Sequence, residues 1–251
     1  MTPRALDAAV RALVDARRSH RRLAGLPEAS RPASVDEAHA IQDATVQALG
    51  DAVAGWKVLA PMDGLITRGA LLRSRVLTSP AQIDAKEVPL LGVEAEIAFR
   101  FDRALPPRSS GYSRDEVAAV VSAVPAIEVV ASRFADYKGT AVLDRLADCG
   151  SNGAFVLGSP HVSWRSLDLV DIDVELEIDG DVVVARRGGN ASRDPLLPAL
   201  ALANAMTKAA GVPGGVVMTT GTYTGLHYAK PGQEVRVSFA GFEPVSIRFR
   251  A

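Results

Sequence analysis

Seven residues, Val93-Glu94-Ala95-Glu96-Ile97-Ala98-Phe99, limit what this chain can fold into more than any other stretch. Alternation of that kind predicts a strand, in which residues two apart share a face. Glu94 and Glu96 then stand side by side, with Val93, Ala95 and Ile97 behind them. Such a face is either the wet side of an antiparallel strand or a place where neighbouring carboxylates share a cation. Glu128 bears on that choice. It interrupts the apolar run Ala126-Ile127-Glu128-Val129-Val130, where an ionised carboxylate is costly without a partner. Three such carboxylates suit a hard divalent ion. A second Glu-x-Glu, Glu175 and Glu177, is read as solvent-facing, so the motif alone is unspecific.

The rest of the sequence narrows the setting. With 251 residues and 48% apolar content, the chain has ample material for a core in one large domain or a domain with a helical appendage. A net charge of −1 points to no nucleic-acid or anionic-membrane partner. The N-terminal segment reads as an amphipathic helix rather than a signal peptide, and no apolar run is long enough to span a bilayer. A cytoplasmic protein is expected. Cys149 is the only cysteine, so there is no disulfide framework or multi-cysteine metal site, and nothing beside it marks it as a nucleophile.

Thr2 and Pro3 predict a helix start, with Leu6, Val10, Leu13 and Val14 at helical spacing. The basic cluster Arg17 to Arg22 reads as a solvated helix end. Ser34-Val35-Asp36-Glu37 is a capping box opening a second helix that Gly50 stops, and the two helices are expected to form a lobe over residues 1–52. A β domain is expected over 53–251, beginning with the strand Gly55-Trp56-Lys57-Val58-Leu59. Lys57 there either snorkels to the surface or is held in the interior. Ser113 to Glu116 predicts another capped helix, carried by Val117, Val120, Val121 and Val124 as far as Pro125. Asp179-Gly180-Asp181 predicts a hairpin, and Asp194-Pro195 a nearly uncharged helix running to Gly211, set against a sheet or a partner subunit. Many strands with few helices argue an α+β fold with a mixed, curled sheet. No Walker loop, dinucleotide fingerprint or nucleophile elbow is visible.

The ordered series Gly55-Trp56-Lys57-Val58, Val93 to Phe99, and Pro125-Ala126-Ile127-Glu128-Val129-Val130-Ala131-Ser132-Arg133 resembles the fumarylacetoacetate hydrolase superfamily. The likeness is greatest to the 2-oxopent-4-enoate hydratases and 4-oxalocrotonate decarboxylases of aromatic catabolism. Ala147-Asp148, Ser151, Thr220-Gly221-Thr222 and Pro231-Gly232 keep the same order. The resemblance implies a mixed β-roll with an N-terminal helical lobe, a homo-oligomer, and Mg²⁺ or Mn²⁺ on Glu94, Glu96 and Glu128. It further implies Lys57 as the acid/base, most effective if burial lowers its pKa, with Ser151 and Thr222 contacting the carboxylate and oxo oxygens of a 2-oxo acid. The hydratases carry an aspartate in a Pro-Asp-aromatic-Gly segment; here Gly69 falls at its glycine and Thr67 at its aspartate, with Asp63 as a substitute from a shifted loop.

The expected activity is therefore hydration of a 2-hydroxypentadienoate-like acid. Decarboxylation of an oxalocrotonate-like dioate and hydrolysis of an acylpyruvate carbon–carbon bond are alternatives. From another class comes a non-catalytic hydratase/decarboxylase partner subunit that binds metal and 2-oxo acid without turnover.

Overall fold

The first helix, α1 (Pro3–Ser19), starts where Thr2 and Pro3 place it, the Thr2 hydroxyl accepting from the Ala5 amide at 3.2 Å. It ends at His20, whose φ of 58° is left-handed. The computed structural model describes residues 1–62 and 64–251. Helix α2 (Val35–Leu49) is capped by Ser34, but only half of the expected box forms. The Glu37 carboxylate takes the Ala33 amide and the chain's amino group instead. Ala9 and Leu13 of α1 and Val35, Ala38 and Ile41 of α2 pack with Leu26, Phe134 and Leu146 in a core of their own.

Two mixed sheets make up the rest. Among the described residues, the larger runs β2 (Leu65–Leu72), β1 (Val53–Met62), β10 (Val217–Thr222), β5 (Gly92–Phe101), β6 (Val121–Val130), β7 (Asn152–Leu157), β3 (Val76–Thr78), with β11 (His227–Tyr228) also on β5. The smaller runs β4 (Ala81–Asp84), β13 (Val245–Arg250), β12 (Glu234–Phe239), β8 (Asp173–Ile178), β9 (Asp181–Arg187). β1 is parallel to β10, β3 to β7 and β4 to β13, while the other pairings are antiparallel. This is the α+β architecture that the strand count predicts. No helix among the described residues is long and apolar enough to cross a membrane.

One expected helix is mostly strand. Ser113 and Glu116 form a complete capping box, yet α3 covers only Arg114–Ala118 and β6 begins at Val121. The valines satisfy a helical spacing, but β-branching favours the extended chain and Pro125 pushes Val124 out of the helical region. β6 then pairs with β5 over its full length, from Phe101 opposite Val121 to Gly92 opposite Val130. Pro125 is tolerated mid-sheet because its missing amide falls at the end of β7, where the Gly158 amide donates to the Pro125 carbonyl at 2.8 Å.

The remaining helices are α4 (Val142–Ala147) and α5 (Leu196–Thr207). α5 starts one residue later than expected, with Pro195 rather than Asp194 at its N-cap; Asp194 still accepts from the Leu196 amide at 3.0 Å, and the helix stops four residues before Gly211. Leu196, Ala199, Leu202 and Ala203 bury one face of α5 in the main core, leaving Leu197 outward. Gly55 is required where β1 meets β10, since a Cβ there would lie 2.0 Å from the Val217 carbonyl oxygen.

Candidate metal centre

β5 lies between β10 and β6 with both edges paired, and its residues are mostly buried on both faces, so its acids cannot all reach water. Glu94 sits directly opposite Glu128 across the β5–β6 ladder, and Glu96 sits opposite Thr222 on β10. Glu96 and Glu128 are fully buried and Glu94 is half-buried. Like charges facing each other across a ladder repel. Ligand atoms of the three carboxylates nonetheless all lie within 4.8 Å of one another.

Lys57 answers part of that charge. Its Nζ is 2.9 and 2.8 Å from the two Glu128 oxygens and 3.4 Å from the Gly150 carbonyl. The lysine is therefore an interior residue rather than a snorkelling one. Burial acts to lower its pKa, but the combined attraction of Glu128, Glu94 and Glu96 outweighs it and the net shift is upward. This corrects the expectation of a lysine made basic by burial alone: here it is held as the ammonium. Burial, and the charge of Glu128, push Glu94 up to about 7, and Glu96 is raised for the same reasons.

Fully ionised, three carboxylates and one ammonium would leave two negative charges in a buried cluster, which is why burial and mutual repulsion raise Glu94 and Glu96 in the absence of a cation. Two negative charges match a divalent cation, and the donors are the hard oxygens such a cation takes. Glu96 Oε1 has no hydrogen-bond partner among the described residues, while its other oxygen accepts from Thr219. Asn152 Nδ2 donates to Glu128 at 3.1 Å and helps to fix that buried carboxylate. The residues present fit a metal ion.

The turn Cys149-Gly150-Ser151 brings the second group of candidates to the lysine. All three residues have left-handed φ, of 54°, 62° and 61°. The turn is pinned by buried Asp148, which accepts from Arg17 at 3.0 Å and from Arg133 Nε at 2.6 Å. Arg17 thus belongs to the interior, unlike the solvated helix end expected for the basic cluster. Gly69 permits the turn's close approach, for a Cβ there would be 2.4 Å from the Cys149 carbonyl oxygen. The Ser151 hydroxyl is buried without a hydrogen-bond partner among the described residues. Cys149 is buried and its thiol is pushed up by burial, so it is no nucleophile.

A cavity of about 460 Å³ opens on the cluster. Lys57, Glu94, Glu96, Thr220, Gly221 and Thr222 form its polar side. Thr222 Oγ1 accepts from the amides of Thr224 at 3.1 Å and Gly225 at 3.0 Å. Both acceptor positions are filled, and its own proton goes to the Ala95 carbonyl at 3.4 Å, a long contact that a ligand oxygen can replace. The Thr220 hydroxyl is buried and without a partner among the described residues. Asn152, Thr219, Thr220 and the α5 wall are contributions that the sequence reading missed. Thr67 is buried in β2, and Asp63 lies outside the described residues.

No family model matches the sequence. A 2-keto-4-pentenoate hydratase of Paraburkholderia xenovorans is 30% identical, over 100% of this chain and 97% of the relative. The chain belongs to the 2-keto-4-pentenoate hydratase family. A 2-hydroxyhexa-2,4-dienoate hydratase of Comamonas testosteroni is 29% identical over 94% of each chain. Among solved structures, 4-oxalocrotonate decarboxylase from Pseudomonas putida G7, complexed with magnesium and adipate, superposes with a TM-score of 0.84 at 21% identity, covering 99% of this chain and 98% of that one. Hydratase-family membership places the chain in the fumarylacetoacetate hydrolase superfamily, as the ordered motifs imply.

Proposed function

We propose that this hydratase-family chain is a metal-dependent hydro-lyase, adding water to an unsaturated acid of the 2-hydroxypentadienoate kind in aromatic catabolism. The observation that carries this reading is the convergence of Glu94, Glu96 and Glu128 with Lys57 beside a substrate-sized cavity. Glu94, Glu96 and Glu128 hold the ion. When bound, Mg²⁺ or Mn²⁺ supplies positive charge to the carboxylate and oxo oxygens of the acid.

The other tasks fall to the chain. Hydration of a 2-hydroxydienoate puts protons on two carbons and takes one from the enol hydroxyl and one from water, so each transfer needs a group that gives a proton to carbon and takes one from oxygen. Lys57 Nζ, protonated at rest by its contact with Glu128, gives first and accepts second, and so returns to its starting state. Thr222, in the cavity lining, gives up its long bond to the Ala95 carbonyl to donate to a substrate oxygen, and Ser151, buried and unpartnered beside Gly150, offers a second hydroxyl next to Lys57. Hydroxyl contacts of this kind orient the acid relative to Nζ. The working form is a cytoplasmic homo-oligomer.

The test is product analysis with purified protein and Mg²⁺. Loss of 2-hydroxypenta-2,4-dienoate with gain of water supports the reading. Thr67 in place of the hydratase aspartate favours a second one, decarboxylation of an oxalocrotonate-like dioate, which releases carbon dioxide. Two carboxylic acids from an acylpyruvate mark a carbon–carbon hydrolase. Metal binding without turnover of any of these acids overturns the enzyme reading in favour of a partner subunit.

A further inference from the structure

The arginines that close α1 meet the β domain around a second cavity, of about 240 Å³, which shares no lining residue with the one at the metal centre. The lobe supplies Arg17, Arg18, Arg21 and Arg22, and the β domain supplies Arg75 after β2 and Arg133 after β6. A helix end attracts basic residues to its own carbonyls, but it does not call for two more from distant parts of the chain.

Only Asp51 and Glu87 of the lining are acidic. Glu87 is held by Arg75 at 2.6 Å, and Asp51 by Ser74. Arg17 and Arg133, whose side chains are 11% and 10% exposed, share one carboxylate, that of Asp148. Two guanidiniums on one acid leave a buried positive charge, which is costly without a counter-ion. Burial and the charge of Arg17 accordingly hold Arg133 below the usual guanidinium range. Arg17 Nε is buried with no hydrogen-bond partner among the described residues. Arg18 and Arg22 are exposed and donate to backbone carbonyls, of Ala48 at 3.3 Å and Ala135 at 3.4 Å, which leaves their charge unneutralised.

Counting Asp148 with the lining, six arginines face three acids, an excess of three positive charges. The carbonyl ends of α1 and α2 each offset about half a charge, so about two remain. A phosphate monoester carries about that charge with the opposite sign at neutral pH, and the arginine fork matches its oxygens. The volume lies below the roughly 300–1,000 Å³ of pockets for drug-sized ligands, which suits a compact anion. Ser132, buried in the lining, accepts from the Phe134 amide at 3.0 Å and has no acceptor among the described residues for its own proton.

We propose that this cavity is a second ligand site, which takes a compact phosphate dianion, free or as the head of a phosphorylated metabolite, and so clamps the helical lobe to the β domain. The site stands apart from the metal centre and does not depend on the proposed function.

Calorimetric titration of the full chain with Mg²⁺, at fixed ionic strength, uses inorganic phosphate, glycerol 3-phosphate and malonate as probes. Malonate has a similar charge, split between two carboxylates. At least one of the phosphates is expected to bind about tenfold tighter than malonate or better, and to raise the melting temperature in a thermal scan. The tighter of the two identifies the source of the dianion. Arg18→Ala with Arg22→Ala changes two exposed positions and is expected to lower phosphate affinity at least about tenfold, as loss of hydrogen bonds to a charged group does. Arg22→Glu alone gives the same reading should the pair not fold. Failure of both phosphates to bind overturns the site. Affinity unchanged in the variants puts the ligand elsewhere, the metal centre included, and overturns it equally. Malonate binding as tight as either phosphate overturns the phosphate assignment.

Discussion

β5 and β8 carry the same Glu-x-Glu spacing and end in opposite environments. In β8, buried Val174, Leu176 and Ile178 alternate with the partly exposed Glu175 and Glu177, and Arg236 approaches Glu177 at 3.9 Å. Its neighbour β9 is the sheet edge and is mostly exposed, so the acid face of β8 stays wet. β8 too has a strand on each side; β5 differs in being covered on both faces. Water satisfies the first pair of carboxylates; in the second pair Thr219 holds Glu96, Lys57 attracts both from its pairing with Glu128, and a bound cation would supply the remaining charge. Sequence spacing sets which residues share a face, and what covers that face sets what it means.

The comparison breaks most readily at Glu128. Glu128→Ala removes one acid from the cluster and the partner of Lys57, and is expected to weaken Mn²⁺ binding by more than the ~100-fold that orienting partners are worth. Calorimetry reads it directly; unchanged affinity would return β5 to the status of β8. Lys57→Met tests the same cluster from the other side. Loss of the proton carrier is expected to lower turnover by about 10²- to 10⁴-fold. Metal binding should be as tight or tighter, because the ammonium no longer competes for Glu128. A variant that loses metal and turnover together would show that the lysine holds the site open rather than moving protons. Asn152→Ala comes next, with a loss of about 10- to 100-fold in metal affinity, since it frees Glu128 to rotate.

How much of this could be read from the chain follows the same division. Glu94, Glu96 and Glu128 were legible because an acid inside an apolar run is conspicuous without any knowledge of neighbours. The lobe helices were legible because Thr2, Ser34 and Gly50 are local signals. The helix expected from Val117 to Val124 failed because valines at three- and four-residue spacing also suit a fully buried strand, and Pro125 was read as a stop sign instead of a strand residue. Asn152, Thr219 and Leu197 were not legible for a different reason. Each reaches the site through strand order or a helix crossing, and those contacts span 24, 123 or more residues of chain. Lys57 was ambiguous for the same reason, its partner lying 71 residues away.

The smallest expected effect is the sharpest control. Glu175→Gln with Glu177→Gln repeats on β8 the loss of charge that disables β5. Both side chains are partly hydrated, and the one ion pair, Glu177 with Arg236, is at the limit of contact distance. Exposed pairs of that kind contribute about 0–1 kcal/mol, and two neighbouring acids also repel, so the terms oppose each other. The double variant should keep its stability within about 0.5 kcal/mol. Its Mn²⁺ affinity should match that of the parent protein within error. A fall in affinity would mean that β8 feeds the metal centre. A large fall in melting temperature would mean instead that this face is buried in the working assembly, and the acids of β8 would then mark a subunit contact rather than a wet surface.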